Sequence, residues 1–343
     1  MPNLFRFLIP ILLIFSLLVT SACGDSEKVP STVVAPVNPL AGVKGIVDPD
    51  NHGWPRTVDA LNGRVTIAAK PQRILTVSLG HDEVTYALVP PTRVVAVGEF
   101  TKRDESSNVA HLAKGLPSVT RDPERVASFS PDIVIASAFS RPELVASLNN
   151  AGILVVQTEL NNHFEGRIND ILLMGYIYGE EERSLEFVTE VKNRYKQLTA
   201  FTAGKTGPKP RVISLASFSD KIYTAGKDST EGEIIEMAGA INAAAEAGLA
   251  HNPVISLESV IAMNPDYIFV AQPEPSAGEF IRQLLSNKVL AEVPAIKNNR
   301  IYFAVPKYFT TLSFWNLRGA EETAKTIWPE LKDKQYQEFS FPK

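Results

Sequence analysis

The sequence predicts an α/β fold in which one long helix joins two lobes. Two sets of short, continuously apolar strands alternate with helical patterns, which is typical of mainly parallel sheets that are covered on both faces. A long amphipathic helix lies between the two sets. A segment that combines a short helix, a Pro-Asp pair and a strand occurs once in each half of the chain. Together these observations predict two similar lobes.

The first 23 residues have the pattern of a signal peptide. Arg6 precedes an apolar stretch over residues 7–19, which is shorter than the roughly 20 residues needed to span a bilayer. Small residues then lead to Cys23, a pattern that resembles the lipobox of bacterial lipoproteins, although Thr20 stands where leucine is usual. We expect residues 1–23 to be a signal peptide with a lipidated Cys23. The alternative is ordinary cleavage just before this cysteine, which would leave a free thiol.

Residues 24–55 have the composition of a Pro-rich tether. Five prolines are spread among small and polar residues, and such a segment is expected to stay extended. The remaining part of the chain, about 290 residues, is long enough for two lobes. The net charge of −4 argues against a nucleic-acid partner. The chain has a single cysteine, which excludes an internal disulfide.

The folded part is predicted to open with a hairpin, in which Asn62-Gly63 forms a two-residue type I′ turn. Two sets of four apolar runs follow. The first set belongs to an N-terminal lobe over residues 56–179 and consists of residues 74–78, 94–97, 133–136 and 154–157. The second set belongs to a C-terminal lobe over residues 204–343 and consists of residues 212–216, 222–225, 267–271 and 301–305.

A helix over residues 180–203 is predicted to connect the two lobes. Its apolar residues recur at steps of three or four and therefore share one face: Leu185, Val188, Val191, Tyr195, Leu198 and Phe201. At 1.5 Å per residue such a helix is about 35 Å long. Because no Gly or Pro interrupts this stretch, we expect a rigid connection and not a flexible hinge.

The internal repeat is the most specific feature of the sequence. In the first copy Glu124 precedes Pro131 by seven residues, and in the second copy Glu258 precedes Pro265 by the same number. An Asp or Ser two residues before each glutamate is a good helix N-cap. The same unit therefore occurs once in each lobe, which predicts a pseudo-symmetric pair with a binding site between its members.

These motifs resemble those of class III periplasmic binding proteins, the solute-binding proteins of ABC importers for siderophores, haem and cobalamin. The resemblance covers nearly everything from Arg56 onward. It is carried by the doubled segments just described and by Pro71-x-Arg73-Ile-Leu-x-Val-Ser78 with Glu83, residues 295–302, and Trp328-Pro-Glu330. It implies two Rossmann-like lobes, a rigid connecting helix and a shallow ligand cleft.

The resemblance also implies a function. We expect an extracytoplasmic protein, anchored to the cell membrane by the lipid on Cys23, that captures a metal chelate as a monomer and delivers it to a permease dimer with its ATPase. A ferric siderophore is the first choice, because the cleft residues are cationic. Cobalamin and haem remain alternatives within the family, and a tethered ligand sensor is the rival from another class.

An enzyme is not expected. The five histidines are scattered without the spacing of metal ligands, and the sequence has no Gly-x-Ser-x-Gly elbow, Walker loop or Gly-x-Gly-x-x-Gly motif. We therefore expect no cofactor and no metal bound directly by protein side chains. Iron or cobalt is expected to arrive with the ligand.

Ligands of such folds bind at the carboxyl ends of the strands, and the loops there carry the candidate residues. Aromatic faces interspersed with cations suit a partly apolar, anionic chelate. The candidates are His81, Phe100, Lys102, Arg103, Phe139, Arg141, Phe218, Tyr223, Tyr308 and Trp315. For His81, ligation of the ligand's metal and simple solvation both remain open. Glu83 is expected in the first turn of a helix, where the helix dipole stabilises a carboxylate.

Glu124 and Glu258 are the candidates for docking to the permease. The family that this chain resembles uses glutamates at the matching positions for that purpose. Both residues also lie behind a helix N-cap, where a carboxylate stabilises the helix whatever its function. Docking and helix stabilisation therefore remain two open interpretations of these residues.

Overall fold

The computed structural model of the protein describes residues 38–343. The predicted signal peptide, Cys23 and residues 24–37 of the predicted tether lie outside the described residues. Within the described part, no helix combines the length and the apolar character that a membrane crossing requires.

The N-terminal lobe contains a hairpin followed by alternating strands and helices. Its elements are β1 (Arg56–Ala60), β2 (Gly63–Ile67), β3 (Ile74–Thr76), α1 (Leu79–Leu88), β4 (Val94–Gly98), β5 (Ser118–Val119), α2 (Pro123–Ala127), β6 (Ile133–Ser137), α3 (Pro142–Asn150), β7 (Val155–Thr158) and α4 (Phe164–Tyr178). The strands β3 to β7 form a five-stranded sheet in the order β5-β4-β3-β6-β7. All of its pairs are parallel, as predicted, so the carboxyl ends of these strands lie at one edge.

The connecting helix and the C-terminal lobe follow. Their elements are α5 (Glu181–Ala203), β8 (Arg211–Phe218), β9 (Lys221–Thr224), α6 (Thr230–Met237), β10 (Ile241–Asn242), α7 (Ala243–Glu246), β11 (Val254–Ile255), α8 (Leu257–Met263), β12 (Tyr267–Val270), α9 (Ser276–Ser286), α10 (Pro294–Lys297), β13 (Ile301–Phe303), α11 (Pro306–Phe309) and α12 (Asn316–Ile327). The second sheet has the order β11-β9-β8-β12-β13, with β10 also paired to β8.

The second sheet is mixed, which differs from the parallel arrangement that the strand patterns favour. The strands β8, β12, β13 and β10 are parallel, whereas β9 runs antiparallel to both β8 and β11. Only Ser219 and Asp220 connect β8 to β9, and both have positive φ angles, 48° and 60°. Two residues with such angles form a tight hairpin turn, and a parallel crossover needs a far longer connection.

The predicted first hairpin is present, but its turn lies one residue earlier than predicted. The strands β1 and β2 pair up to Ala60 opposite Gly63, so Gly63, with a φ of 103°, follows the turn. The side chain of Asn62 donates to the carbonyl oxygen of Val155 and accepts from the backbone N–H of Gln157, both at 2.9 Å. These bonds to β7 hold the asparagine at the turn and attach the hairpin to the sheet.

The tether predicted over residues 24–55 is not extended in its described part. Leu40 is buried in the core, and three further apolar side chains of residues 38–55 pack against it: Val43, Ile46 and Trp54. The phenol of Tyr176 donates to the carbonyl oxygen of Asp48 at 3.0 Å. The apolar side chains between the prolines thus bury enough surface to fix this segment on the hairpin and α4.

The connecting helix begins and ends within one residue of the predicted bounds. Its apolar face takes part in a single hydrophobic core that also contains Val84 and Ile171 of the N-terminal lobe and Phe269 and Ala324 of the C-terminal lobe. Residues 38–343 accordingly form one compact unit. The boundaries predicted at residues 179 and 204 therefore mark only the two ends of α5. They do not separate independent hydrophobic cores, because apolar packing continues across them.

The internal repeat corresponds to a repeated set of hydrogen bonds. In the N-terminal lobe a carboxylate oxygen of Asp132 accepts from the backbone N–H of Arg73 at 3.0 Å. In the C-terminal lobe Asp266 accepts from the N–H of Arg211 at 2.8 Å. Each arginine side chain also donates to carbonyl oxygens at the C-terminal end of the short helix, α2 or α8. The two lobes thus position α2 and α8 in the same way.

Candidate functional site

A cavity of about 220 Å³ lies at the carboxyl ends of β3, β4, β5 and β6. The N-terminal lobe contributes most of its wall, and residues 310–312 of the C-terminal lobe close one side. The lining consists of residues 77–80, 98–100 and 119–121 together with Ser137, Phe139, Ser140, Leu144 and Leu160. This is the position that the strand-end rule predicts for a ligand cleft.

Two aromatic rings at this cavity are exposed to solvent. Phe100, in a short 3₁₀ turn after β4, is 47% exposed, and Phe139, directly after β6, is 69% exposed. Phe218 at the end of β8 is 72% exposed, although it is not part of the cavity lining. Exposed apolar rings grouped at a concave surface mark a binding site. Phe100 and Phe139 both line this cavity, and their role as ligand contacts stays a prediction.

Three arginines follow the same strand ends, those of β4, β5 and β6. Arg121 lines the cavity, and Arg141, the N-cap residue of α3, shares a shallow pocket with it. The guanidinium of Arg103 lies 4.5 Å from the centre of the Phe100 ring, a cation–π geometry. Arg121 was not among the predicted residues, because β5 has only two residues and leaves no strand pattern in the sequence.

Lys102 was predicted to contact the ligand, but its ammonium group is used elsewhere. Its ammonium group donates to three backbone carbonyl oxygens of the following loop, those of Ala113, Lys114 and Leu116, at 3.1, 2.9 and 2.6 Å. An ammonium group has three donors, and here all three are used. Lys102 therefore fixes the loop that follows the 3₁₀ turn.

His81 is not a ligand-facing loop residue. It is the third residue of α1 and is fully buried. One ring nitrogen forms a hydrogen bond with the hydroxyl of Ser78 at 2.8 Å and the other with the hydroxyl of Thr158 at 2.9 Å. Burial lowers the pKa of His81 to about 4. The imidazole is neutral at physiological pH and cannot reach a metal in the cavity.

The buried His81 should make the folded state sensitive to acid. Because its pKa falls from 6.5 in the unfolded chain to about 4 in the fold, the unfolded state binds more protons in this window, and stability is lost as pH falls through it. Relative to His81→Gln, the wild-type protein should lose on the order of 2–3 kcal/mol of unfolding free energy between pH 7 and pH 4. Urea denaturation at several pH values measures this difference, and parallel curves for the two proteins would contradict it.

Three residues of the C-terminal lobe lie away from the cavity, contrary to prediction. Trp315 is 4% exposed and packs against Phe339 with ring centres 4.9 Å apart. Tyr308 stacks on Trp315 at 6.0 Å and lines a separate pocket with Phe269. Tyr223 lies half-buried on β9. The rings of Tyr308 and Trp315 thus pack against the hydrophobic core, and residues 310–312, which lie between them, line the cavity instead.

A carboxylate below the cavity joins the two lobes. Glu83, the fifth residue of α1, is fully buried and lies deeper than the expected first-turn position. It accepts hydrogen bonds from the backbone and side-chain nitrogens of Asn108 at 3.0 and 2.8 Å, from the hydroxyl of Thr311 at 2.5 Å and from that of Ser313 at 2.6 Å. Burial raises the pKa of Glu83. Four donors from both lobes thus converge on one side chain.

The two candidate docking residues occupy equivalent surface positions. Glu124 is the second residue of α2 and Glu258 the second residue of α8, and both are exposed. The N-cap side chains of Asp122 and Ser256 accept from backbone N–H groups of the first helical turns. One exposed carboxylate is therefore presented at the equivalent position of each lobe.

Among residues 38–343, no group of three or more histidine, aspartate and glutamate side chains is arranged to hold a metal ion. Two α/β lobes, a connecting helix and a cavity at the carboxyl ends of parallel strands are the architecture of a binding protein for a small molecule.

The chain belongs to the periplasmic binding protein family, whose model matches residues 74–308. Its relatives place it among the substrate-binding proteins of ABC transporters. It is 28% identical over 284 residues to the uncharacterized ABC transporter substrate-binding lipoprotein YvrC of Bacillus subtilis, covering 81% of this chain and 87% of that protein.

Two further comparisons agree with this assignment. The chain is 27% identical over 258 residues to a cobalamin-binding protein of Halobacterium salinarum, covering 74% of this chain and 68% of that protein. The structure resembles the periplasmic heme-binding protein RhuT from Roseiflexus sp. RS-1, with a TM-score of 0.67 and 23% identity, and covers 76% of this chain and 99% of that one. This structural match confirms the predicted two-lobed α/β fold.

Proposed function

We propose that this protein captures an anionic metal chelate, a ferric siderophore in the first place, and delivers it to the permease of an ABC importer. The observation that carries the proposal is the exposure of Phe100 and Phe139 at a cavity that Arg121 also lines, with Arg141 in an adjoining pocket that shares Arg121. Aromatic faces bind the apolar part of a chelate, and guanidinium groups bind its carboxylate or phenolate oxygens.

The chelate brings its metal fully coordinated. The imidazole of His81 is buried below the cavity, and the residues that line the cavity include no histidine. Selection among ligands therefore rests on the outer surface of the chelate, on its charge and its aromatic groups. This favours a ferric siderophore over a haem that needs a protein ligand on its iron, and it requires no resident cofactor.

The remaining parts of the proposal concern place and partners. The pattern that ends at Cys23, together with a relative named as a lipoprotein, supports a lipid anchor on the outer face of the cell membrane. The equivalent positions of Glu124 and Glu258 support docking of a monomer onto a two-fold symmetric permease dimer. In this proposal, the two carboxylates form ion pairs only in the complex with the permease.

Ligand titration tests the proposed function. Tryptophan fluorescence and native mass spectrometry of the purified protein should show one-to-one binding of a ferric tris-catecholate or ferric hydroxamate siderophore, with weaker binding of the iron-free chelator. Cobalamin and haem are measured in parallel. If cobalamin binds most tightly, cobalamin becomes the proposed ligand in place of a siderophore. The relative in Halobacterium salinarum, a cobalamin-binding protein, favours this second candidate. Failure of all these compounds to bind would overturn the proposal.

Arginine replacement at the cavity should weaken chelate binding without loss of stability. Arg141→Ala, alone or with Arg121→Ala, is expected to reduce the binding free energy of an anionic ferric siderophore by roughly 1–3 kcal/mol per ligand contact. Arg125→Ala is the matched control, because Arg125 is exposed and stacks on Phe129 outside the cavity. Fluorescence quenching gives the affinities, and equal affinities for all variants would remove both arginines from the site.

A further inference from the structure

Asp82 lies below the edge of the cavity and holds the segment that carries Phe100. It is fully buried in α1. One of its carboxylate oxygens, Oδ2, accepts from the backbone N–H of Gly98 at 2.9 Å and from the hydroxyl of Thr101 at 2.7 Å. These two donors flank residues 99–100. Asp82 therefore fixes the backbone on both sides of the exposed ring.

The segment held in this way is short, and the bonds of Lys102 to the carbonyl oxygens of residues 113, 114 and 116 anchor its far end. Residues 99–102 form only a 3₁₀ turn, and Phe100 is 47% exposed. Arg103 follows the turn and places its guanidinium over the Phe100 ring. We name residues 98–103 the arm. The arm therefore combines an apolar ring at the edge of the cavity with a positive charge stacked on that ring.

The charge of Asp82 is not what holds the arm. Among residues 38–343, Asp82 forms no ion pair, and the only further group that hydrogen-bonds its carboxyl is the hydroxyl of Thr76, which lies outside the arm. Burial raises the pKa of Asp82 to about 7, so both protonation states are populated near neutral pH. Both bonds to the arm end on Oδ2 alone. An uncharged carbonyl oxygen in the same place could accept both of them.

We propose that Asp82 is a positioning residue of the ligand cleft, which acts by holding Phe100 and Arg103 in the orientation that a bound chelate contacts. This inference rests on the proposed function. It predicts that the acceptor oxygen matters and that the negative charge does not. It also predicts that Asp82 affects ligand affinity only through the arm.

A double-mutant cycle with a ferric tris-catecholate siderophore tests the proposal. Asp82→Ala should weaken binding roughly tenfold in the wild-type background and less than about twofold in a Phe100→Ala/Arg103→Ala background. Asp82→Asn should restore the affinity to within about twofold of the wild-type value, because the amide oxygen accepts the same bonds. Equal losses on Asp82→Ala in both backgrounds, or no recovery with asparagine, would overturn the proposal.

A measurement without ligand separates this proposal from the proposed function. Hydrogen exchange of the amides in residues 98–103 should accelerate at least tenfold in Asp82→Ala and remain near the wild-type rate in Asp82→Asn. Asp132→Asn is the control, since Asp132 also accepts two backbone N–H bonds in this lobe but lies away from the cavity. If no chelate binds the wild-type protein, the proposed function fails. Unchanged exchange in Asp82→Ala refutes the positioning role independently.

Discussion

Replacement of Glu83 by alanine is expected to destabilise the fold by roughly 3–5 kcal/mol. The change removes the acceptor for four buried donors, from Asn108, Thr311 and Ser313, and leaves a cavity at the junction of the lobes. Each buried donor left without a partner costs roughly 1–3 kcal/mol. Urea denaturation followed by circular dichroism measures the loss.

Glu83→Gln is the matched control for this prediction. Glutamine keeps the size of the side chain and one acceptor oxygen, and the hydroxyls of Thr311 and Ser313 can turn to accept from its amide group. We expect a loss of about 1–2 kcal/mol, smaller than that of the alanine variant. If Glu83→Ala costs less than about 1 kcal/mol, Glu83 does not hold the lobes together.

The double variant Glu124→Ala/Glu258→Ala is expected to lose stimulation of the transporter's ATPase, with ligand affinity and melting temperature nearly unchanged. Both side chains are exposed on short helices, so the folded protein loses little. Exposed ion pairs contribute about 0.2–1 kcal/mol each, and removal of both weakens docking roughly tenfold. Because such pairs are screened by ions, docking of the wild-type protein should also weaken with salt.

The control for docking removes two other glutamates. Glu165 and Glu279 are exposed residues in the first turns of α4 and α9, one in each lobe. Their double replacement by alanine changes the net charge by the same amount but leaves the repeated positions intact. ATPase assays with the purified permease complex compare the two double variants. Equal stimulation by both would show that Glu124 and Glu258 serve only their own helices.

The sequence predicts the elements of the fold better than their direction. The apolar face of α5 has a period that only a helix satisfies, and the continuous apolar runs of β3, β6 and β8 require burial on both faces. The direction of β9 depends on a turn of two residues, Ser219 and Asp220. Neither is glycine, so the sequence lacks the signal that marks most tight hairpins.

The expectation that a ligand binds at the carboxyl ends of parallel strands predicts the position of part of the candidate site. It fails where a short loop sets the direction of a side chain. Phe100, Phe139 and Arg141 follow regular strands, and all three side chains are exposed there. His81 follows β3 after only a few residues, because α1 begins at Leu79 and turns the imidazole inward. The length of that loop cannot be predicted from the local sequence pattern. The partners of a buried polar side chain cannot be predicted from it either, because they are distant in the chain: Thr158 bonds His81, and Asn108, Thr311 and Ser313 bond Glu83.

One hydrophobic core continues from the N-terminal lobe through α5 into the C-terminal lobe. Separating the lobes would expose apolar surface to water, which costs about 25 cal/mol of free energy per Å². Spontaneous wide opening is therefore rare, and a ligand enters a cleft that is already formed. Its association rate should depend on diffusion and charge attraction, and should show no slow isomerisation step in stopped-flow traces. Its residence time is then set by contacts within the cleft, so rapid unloading requires the transporter to distort the cleft on docking.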